Sequence, residues 1–304
     1  MQSEDLSVKK SVFKENFQAY LFVLPALALV MLVIFYPIYF TFKLSMSNFM
    51  LQFPVHEFIG LKNYLDLFSD PRFFNAVYVT LFFTFFTVLL EFSLGFITAL
   101  VANIKFKGCG YLRTALLIPW AIPTVISTML WRFMLNDQFG VVNYILQKLM
   151  IIKDYMPWLG TPDLAIISAI IIDVWKTTPF MFILLLSGLQ VIPAELREAS
   201  VIDGATAWQH FRMIVLPMMR PTILIALLFR TMDAFRVFDM IVALTNGGPA
   251  NSTEVLSLYS YKTMYRTLDF GYGSAIANTI FLFVAIIAAI YVSSLLKNFK
   301  DNRN

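Results

Sequence analysis

AELREASVIDGATAWQHFRMIVLPMMRP, residues Ala194 to Pro221, interrupts two strongly apolar segments with charges, a glycine and two prolines in fixed order. Its first half, Pro193 to Ala205, reads as a short helix. Glu195 and Glu198 stand near its N-terminus, where the helix dipole favours acid. Gly204 permits a turn that a side chain resists. The second half, Thr206 to Leu216, is amphipathic, with Trp208, Phe211, Ile214 and Val215 at helical spacing. Pro217 and Pro221 mark the start of the next apolar run. A structured polar connector between two apolar segments sets the pattern for the chain, a helical membrane protein.

Composition agrees. Of 304 residues, 59% are hydrophobic and only 14% charged, well below the quarter or so charged in a soluble domain. A net charge of +4 is too mild for a nucleic-acid binder. The single cysteine, Cys109, excludes an internal disulfide and a multi-cysteine metal site. With only His56 and His210, a histidine-based metal site or catalytic triad is not expected. Met1 to Asn16 is polar, and the apolar run after it is too long for a cleavable signal.

Six apolar runs are long enough to span at about 20 residues per helix. They are Phe17–Phe42, Ala76–Ile104, Leu112–Leu135, Leu164–Ile192, Pro217–Leu244 and Gly273–Leu296. The expected organisation is a polar segment 1–16, a membrane domain 17–296 containing the loop 194–217, and a tail 297–304. Pro25 and Pro37 should bend the first run, and Pro119 and Pro123 need their freed carbonyls satisfied in the third. Pro179 suggests a break in the fourth. Val141 to Ile151 is a candidate interfacial helix. With the N-terminus inside, the inner segments hold twelve lysines and arginines against eight in longer outer loops. Both termini and the 194–217 loop are therefore expected in the cytoplasm.

Seven ionisable residues fall within the runs: Glu91, Asp173, Lys176, Arg230, Asp233, Arg236 and Asp239. Each costs about 2.5–3.5 kcal/mol at a helix centre, so each should face protein or water. Arg230, Asp233, Arg236 and Asp239 alternate in sign at spacings of three, and neighbours can pair along a helix. A self-neutralising ladder and direct substrate contact both fit this pattern. Glu91 reads as an interhelical hydrogen-bonding residue rather than a proton carrier. No phosphate-binding loop of the Walker type occurs, so this chain is not expected to hydrolyse ATP itself.

Glu198-Ala199-Ser200, Asp203-Gly204-Ala205 and Ile214-Val215-Leu216-Pro217 resemble the EAA loop of binding-protein-dependent ABC importers, with Ser200 at the usual third alanine. The likeness extends to FIGLKNY from Phe58, to Trp120 with Pro123, to Trp131, to WKTTPF from Trp175 and to LTNGGPANSTEVLSLYSY from Leu244. Together these resemble the MalF-type subunit of carbohydrate importers. WKTTPF with LFRTMDAFRVFD looks most similar to permeases for trehalose, maltose and related α-glucosides. The maltose prototype has extra N-terminal helices and an external domain that this sequence lacks.

The resemblance implies an all-α type I ABC importer permease fold, in the plasma membrane of a prokaryote. It also implies a MalG-type partner permease, two ATPase subunits holding the ATP and magnesium, and an external sugar-binding protein. In that family the loop is the coupling helix seated on the ATPase, which nominates Glu198, Ala199, Ser200, Asp203, Gly204, Ala205, Leu216 and Pro217. Asn246, Gly247, Gly248 and Pro249 would meet the binding protein. The family's sugar cavity lies between the helices corresponding to runs four and five, whose midpoints share a depth. One face there carries Asp173, Thr177 and Phe180, and the facing one Arg230, Ala234 and Val237. Lys176 and Asp233 lie at the same level. Polar groups for hydroxyls and a ring for an apolar sugar face suit such a site. The rivals are a glycerol 3-phosphate or phosphodiester permease, with Arg230 and Arg236 as anion ligands, and an ion-coupled secondary transporter using Glu91 and Asp233.

Overall fold

Prolines decide where the long apolar runs bend, stop or continue. The computed structural model describes residues 20–53, 57–104 and 106–301. Residues 1–19, with the expected polar segment 1–16, and residues 54–56, 105 and 302–304 lie outside the described residues. The first helix, α1, is Tyr20–Ser45. Pro25 does not interrupt it. Within it, Met31–Phe35 widens to a π-turn, and the Tyr36 N–H reaches back five residues to the Met31 carbonyl. Pro37 follows at once. Its ring collides with the carbonyl four residues earlier, and widening the preceding turn relieves that collision.

A two-residue antiparallel ladder pairs β1 (Ser47–Asn48) with β2 (Glu57–Phe58). The short α2, Lys62–Leu67, leads to α3, Pro71–Asn103, with Asp70 as its N-cap accepting from the Arg72 N–H at 2.9 Å. The third apolar run is not a straight span. It forms α4 (Cys109–Ala121) and α5 (Thr124–Met134), which meet at 91°. Pro123 supplies no N–H and pushes Ile122 into extended backbone, φ −77°, ψ 133°. The freed Ile122 carbonyl accepts from Lys176 Nζ at 2.6 Å. Pro179 does the opposite of what the sequence suggests: α7, Pro162–Val191, runs through it unbroken. Only one helical bond is lost there, and the ring is packed inside the bundle.

Between them, α6 is Val141–Lys148, three residues shorter than the expected Val141–Ile151. The polar connector contains α8, Ala194–Ile202. Run five is displaced from its expected bounds. Its helix, α9, is Ala207–Phe235 and starts ten residues before Pro217. A reciprocal cap explains the early start: Thr206 Oγ1 accepts from the Gln209 N–H, and Gln209 Oε1 from the Thr206 N–H at 2.8 Å. A second π-turn, Phe211–Val215, again ends two residues before a proline, Pro217.

The other end of α9 also departs from expectation. The helix stops at Phe235, and α10, Asp239–Leu244, begins after a turn in which Ser257 Oγ takes the Val237 carbonyl. The ladder therefore breaks after its first pair. Arg230 and Asp233 share α9, whereas Arg236 lies in the turn and Asp239 opens the next helix. Finally come α11, Leu256–Tyr265, and α12, Phe270–Asp301, which continues past the expected boundary at Leu296.

Among the described residues, five helices are long and apolar enough to cross a membrane, six if the bent pair of α4 and α5 is counted as one span. α3 and α7 form the central pair. Gly95 lets them close: a β-carbon there would lie 2.7 Å from the Met181 Cβ. Along α3, an apolar cluster around Phe83, Ala169 and Ile172 is separated from another around Phe96, Met181 and Leu185. The level between them holds the buried polar residues Thr84, Thr87 and Glu91. α1 joins the bundle at its Ser45 end, where Asn278 Nδ2 donates to Ser45 Oγ and Tyr64 Oη, both at 3.0 Å.

Candidate functional site

One guanidinium organises the polar level. Arg230 of α9 is buried and meets carboxylates from three helices. Its Nε and Nη2 both donate to Glu91 of α3, the second to Oε1 at 2.9 Å. Nη2 also donates to Asp173 of α7, and Nη1 to Asp233 of α9 at 2.8 Å. Thr177 Oγ1, one turn beyond Asp173, lies within hydrogen-bond reach of Glu91 Oε1 and of the Asp173 carbonyl, the latter at 2.5 Å. Breaking such a buried network by deleting one partner costs about 3–5 kcal/mol, because the remaining charge stays buried.

A cavity of about 310 Å³ opens on this level. α7 contributes Asp173, Lys176 and Thr177, and α9 contributes Arg230 and Asp233. The turn after α9 adds Arg236, Val237 and Phe238, while Asp239, Met240 and Thr124 complete the lining. Six of the eight residues nominated for a substrate site thus come together: Asp173, Lys176, Thr177, Arg230, Asp233 and Val237. Phe180 and Ala234 do not. Phe180 faces the Trp120 ring, centroids 6.2 Å apart, and Ala234 is packed at 1% exposure. The helical-face argument assumes a straight, continuous α9, and the turn at Arg236 swings Val237 into the cavity while Ala234 stays behind. Thr124, Phe238 and Met240 carry no sequence signal for this cavity beyond following a break: Pro123 for Thr124, the end of α9 for the other two.

The 194–217 loop divides into an exposed tip and a buried hinge. Glu198, Ala199, Asp203 and Gly204 are exposed, with Val201 and Ile202 forming an apolar tip beside them. Gly204 adopts φ +73° with open space around it, so glycine is required there by the backbone rather than by crowding. Ala205 is half-buried, and Leu216 and Pro217 lie on the exposed side of α9. Ser200 points inward: its Oγ lies 2.8 Å from His210 Nδ1, joining α8 to α9. Behind this loop is a cavity of about 1250 Å³, walled by α3, α4, α7, α8 and α9 and rimmed by Lys107, Arg113 and Arg197.

At the opposite end of the bundle, the 245–255 loop is clamped to the start of α3. Glu254 is fully buried and accepts from Arg72 Nε at 2.7 Å and from Lys262 Nζ at 2.6 Å. Burial alone would raise the Glu254 carboxyl, but these two cations hold it below its ordinary range. Asp70 is likewise raised by burial, yet held low overall by the Tyr259 and Tyr272 hydroxyls and nearby backbone N–H groups. Lys262 Nζ also takes the Asn246 carbonyl at 3.0 Å. Gly247, at φ +87°, packs so closely that a β-carbon would stand 2.9 Å from that ammonium. Of the four loop residues nominated for a protein contact, Asn246 is exposed, Gly248 and Pro249 are half-buried, and Gly247 is buried.

A family model described as the binding-protein-dependent transport system inner membrane component matches residues 91–299. The trehalose/maltose transport system permease protein MalF of Thermococcus litoralis is 43% identical over 283 residues, 93% of this chain and 95% of that one. The trehalose transport system permease protein SugA of Mycobacterium tuberculosis is 40% identical over 276 residues, covering 90% and 87% respectively. The fold is similar to that of a chain from a bacterial ABC transporter involved in the import of the acidic polysaccharide alginate. That match has TM-score 0.80 at 24% identity, covering 94% of this chain and 98% of that chain.

Proposed function

The chain belongs to the family of binding-protein-dependent transport system inner membrane components, and from that premise we propose that it carries an α-glucosidic di- or oligosaccharide of the trehalose or maltose kind. The observation that supports a neutral cargo is the commitment of Arg230. A guanidinium has five N–H donors, and the contacts to Glu91, Asp173 and Asp233 use four of them. An anionic cargo would have to displace carboxylates from Arg230. Sugar hydroxyls need only accept single hydrogen bonds from the remaining Arg230 donor and Lys176, and donate to the cavity carboxylates. A site of about 300–1,000 Å³ is ordinary for a small ligand, and the cavity falls at the lower end. The cargo named for the Thermococcus litoralis and Mycobacterium tuberculosis relatives agrees with this reading.

In this reading the chain is a non-catalytic permease of a prokaryotic plasma membrane, with termini and the 194–217 loop in the cytoplasm. It pairs with a second, MalG-type permease, two ATPase subunits and an external sugar-binding protein. ATP and magnesium stay on the ATPase. The exposed Glu198–Gly204 tip seats in the ATPase, and the Asn246–Pro249 loop faces the binding protein. Closure of the ATPase dimer moves α8, and α7 and α9 carry that movement to the cavity between them. The test is uptake by the reconstituted complex, competed by a panel of sugars. Neutral α-glucosides should compete at the lowest concentrations. Preferential competition by glycerol 3-phosphate would overturn the cargo assignment, and uptake abolished by an uncoupler at constant ATP would overturn the mechanism.

A further inference from the structure

Glu91 stands outside the cavity yet governs its most basic member. Its side chain is fully buried on α3, behind Arg230 as seen from the cavity. The lining itself is charge-balanced, with Asp173, Asp233 and Asp239 against Lys176, Arg230 and Arg236. Glu91 adds a fourth carboxylate at hydrogen-bond distance from Arg230, occupying Nε and part of Nη2. With Glu91 counted, this level carries four carboxylates against three cations. Without the Glu91 charge, the balance would be even and two guanidinium N–H groups would lack an acceptor.

We propose that Glu91 is a specificity-determining residue that excludes anionic cargo, acting as a positioning residue through Arg230. Two effects combine. The two-point contact holds the guanidinium plane toward α3, so its fork is unavailable to a carboxylate or phosphate on the cargo. Its charge also cancels that of Arg230 at short range, where the low-dielectric interior makes charge interactions strong. A purely structural Glu91 would alter uptake of every cargo alike, whereas this role alters the ratio between cargoes.

The inference rests on the neutral-sugar reading, and the experiment separates the two. The full complex in proteoliposomes is given a labelled neutral α-linked glucose disaccharide. Unlabelled competitors are the same disaccharide and its counterpart carrying one uronic carboxylate. Absence of neutral uptake in the wild type would sink the cargo reading itself. With wild-type uptake established, Glu91→Gln should lower the anionic-to-neutral ratio of half-inhibitory concentrations by about tenfold or more. A wild-type ratio in an assembled Glu91→Gln complex overturns the proposal. Should that variant fail to assemble, Glu91→Asp keeps the charge but is one methylene too short to reach both nitrogens. It should give a smaller fall in the same ratio, and an unchanged ratio there overturns the proposal equally.

Discussion

Glu254 shows how a single buried carboxylate can hold a loop. Its proton affinity is depressed in the folded chain, so its stabilisation is complete above the ordinary glutamate value of about 4.3 and is lost as pH falls through the lower folded value. Hydrogen exchange of residues 245–255 in nanodiscs should therefore show constant protection down to about pH 4.3, and loss below it. Glu254→Gln should weaken protection at neutral pH and remove that acid step. Protection that already falls near pH 6 would contradict the assignment. At this scale the sequence was partly legible. Ionisable residues in apolar runs were expected to face protein or water, and Asp173, Lys176 and Arg230 are buried, while the exposed Asp233 lines the cavity. Arg230's principal partner was not legible: Glu91 is 139 positions away, and only packing of α3 on α9 joins them.

Individual elements depend on how the chain accommodates prolines and small residues. A proline was a visible signal at Pro37, Pro123, Pro179 and Pro217, but its outcome was not. At Pro123 the helix breaks and Lys176 takes the exposed Ile122 carbonyl, whereas Pro179 is absorbed. Pro37 and Pro217 each displace their strain into a π-turn upstream. The end of α9 at Phe235 carried no glycine or proline to announce it. Glycine matters most at residue 95. Gly95→Leu should force α3 and α7 apart and cost about 1–3 kcal/mol by overpacking. Thermal unfolding of the purified complex should show a lower midpoint. An unchanged midpoint would mean that the close approach is not needed.

For the whole molecule, six apolar runs and their order were legible because bilayer-spanning segments leave a strong compositional trace. The right-angle crossing of α4 and α5 was not, since it arises between elements. Across that architecture, the exposed tip of the 194–217 loop is physically separate from the polar level. Glu198→Lys or Gly204→Asp should therefore reduce ATPase co-purification and sugar-stimulated hydrolysis severalfold while the permease still inserts. Wild-type stimulated hydrolysis in either variant would remove the loop from the coupling route. Gly204→Asp acts through the positive φ, Glu198→Lys through reversed charge on the exposed face.

The unbroken passage of α7 through Pro179 has a mechanical consequence. At 1.5 Å per residue the helix is a beam of about 45 Å, and Asp173 sits about 17 Å from one end and about 27 Å from the other. Arg230 fastens the beam at that point. Fastened off-centre, it behaves as an unequal balance. A sideways push beside α8 arrives at the far tip reversed in direction and reduced by about a third, from the ratio of the two arms. On such a balance, drawing one mouth of the bundle together would part the other.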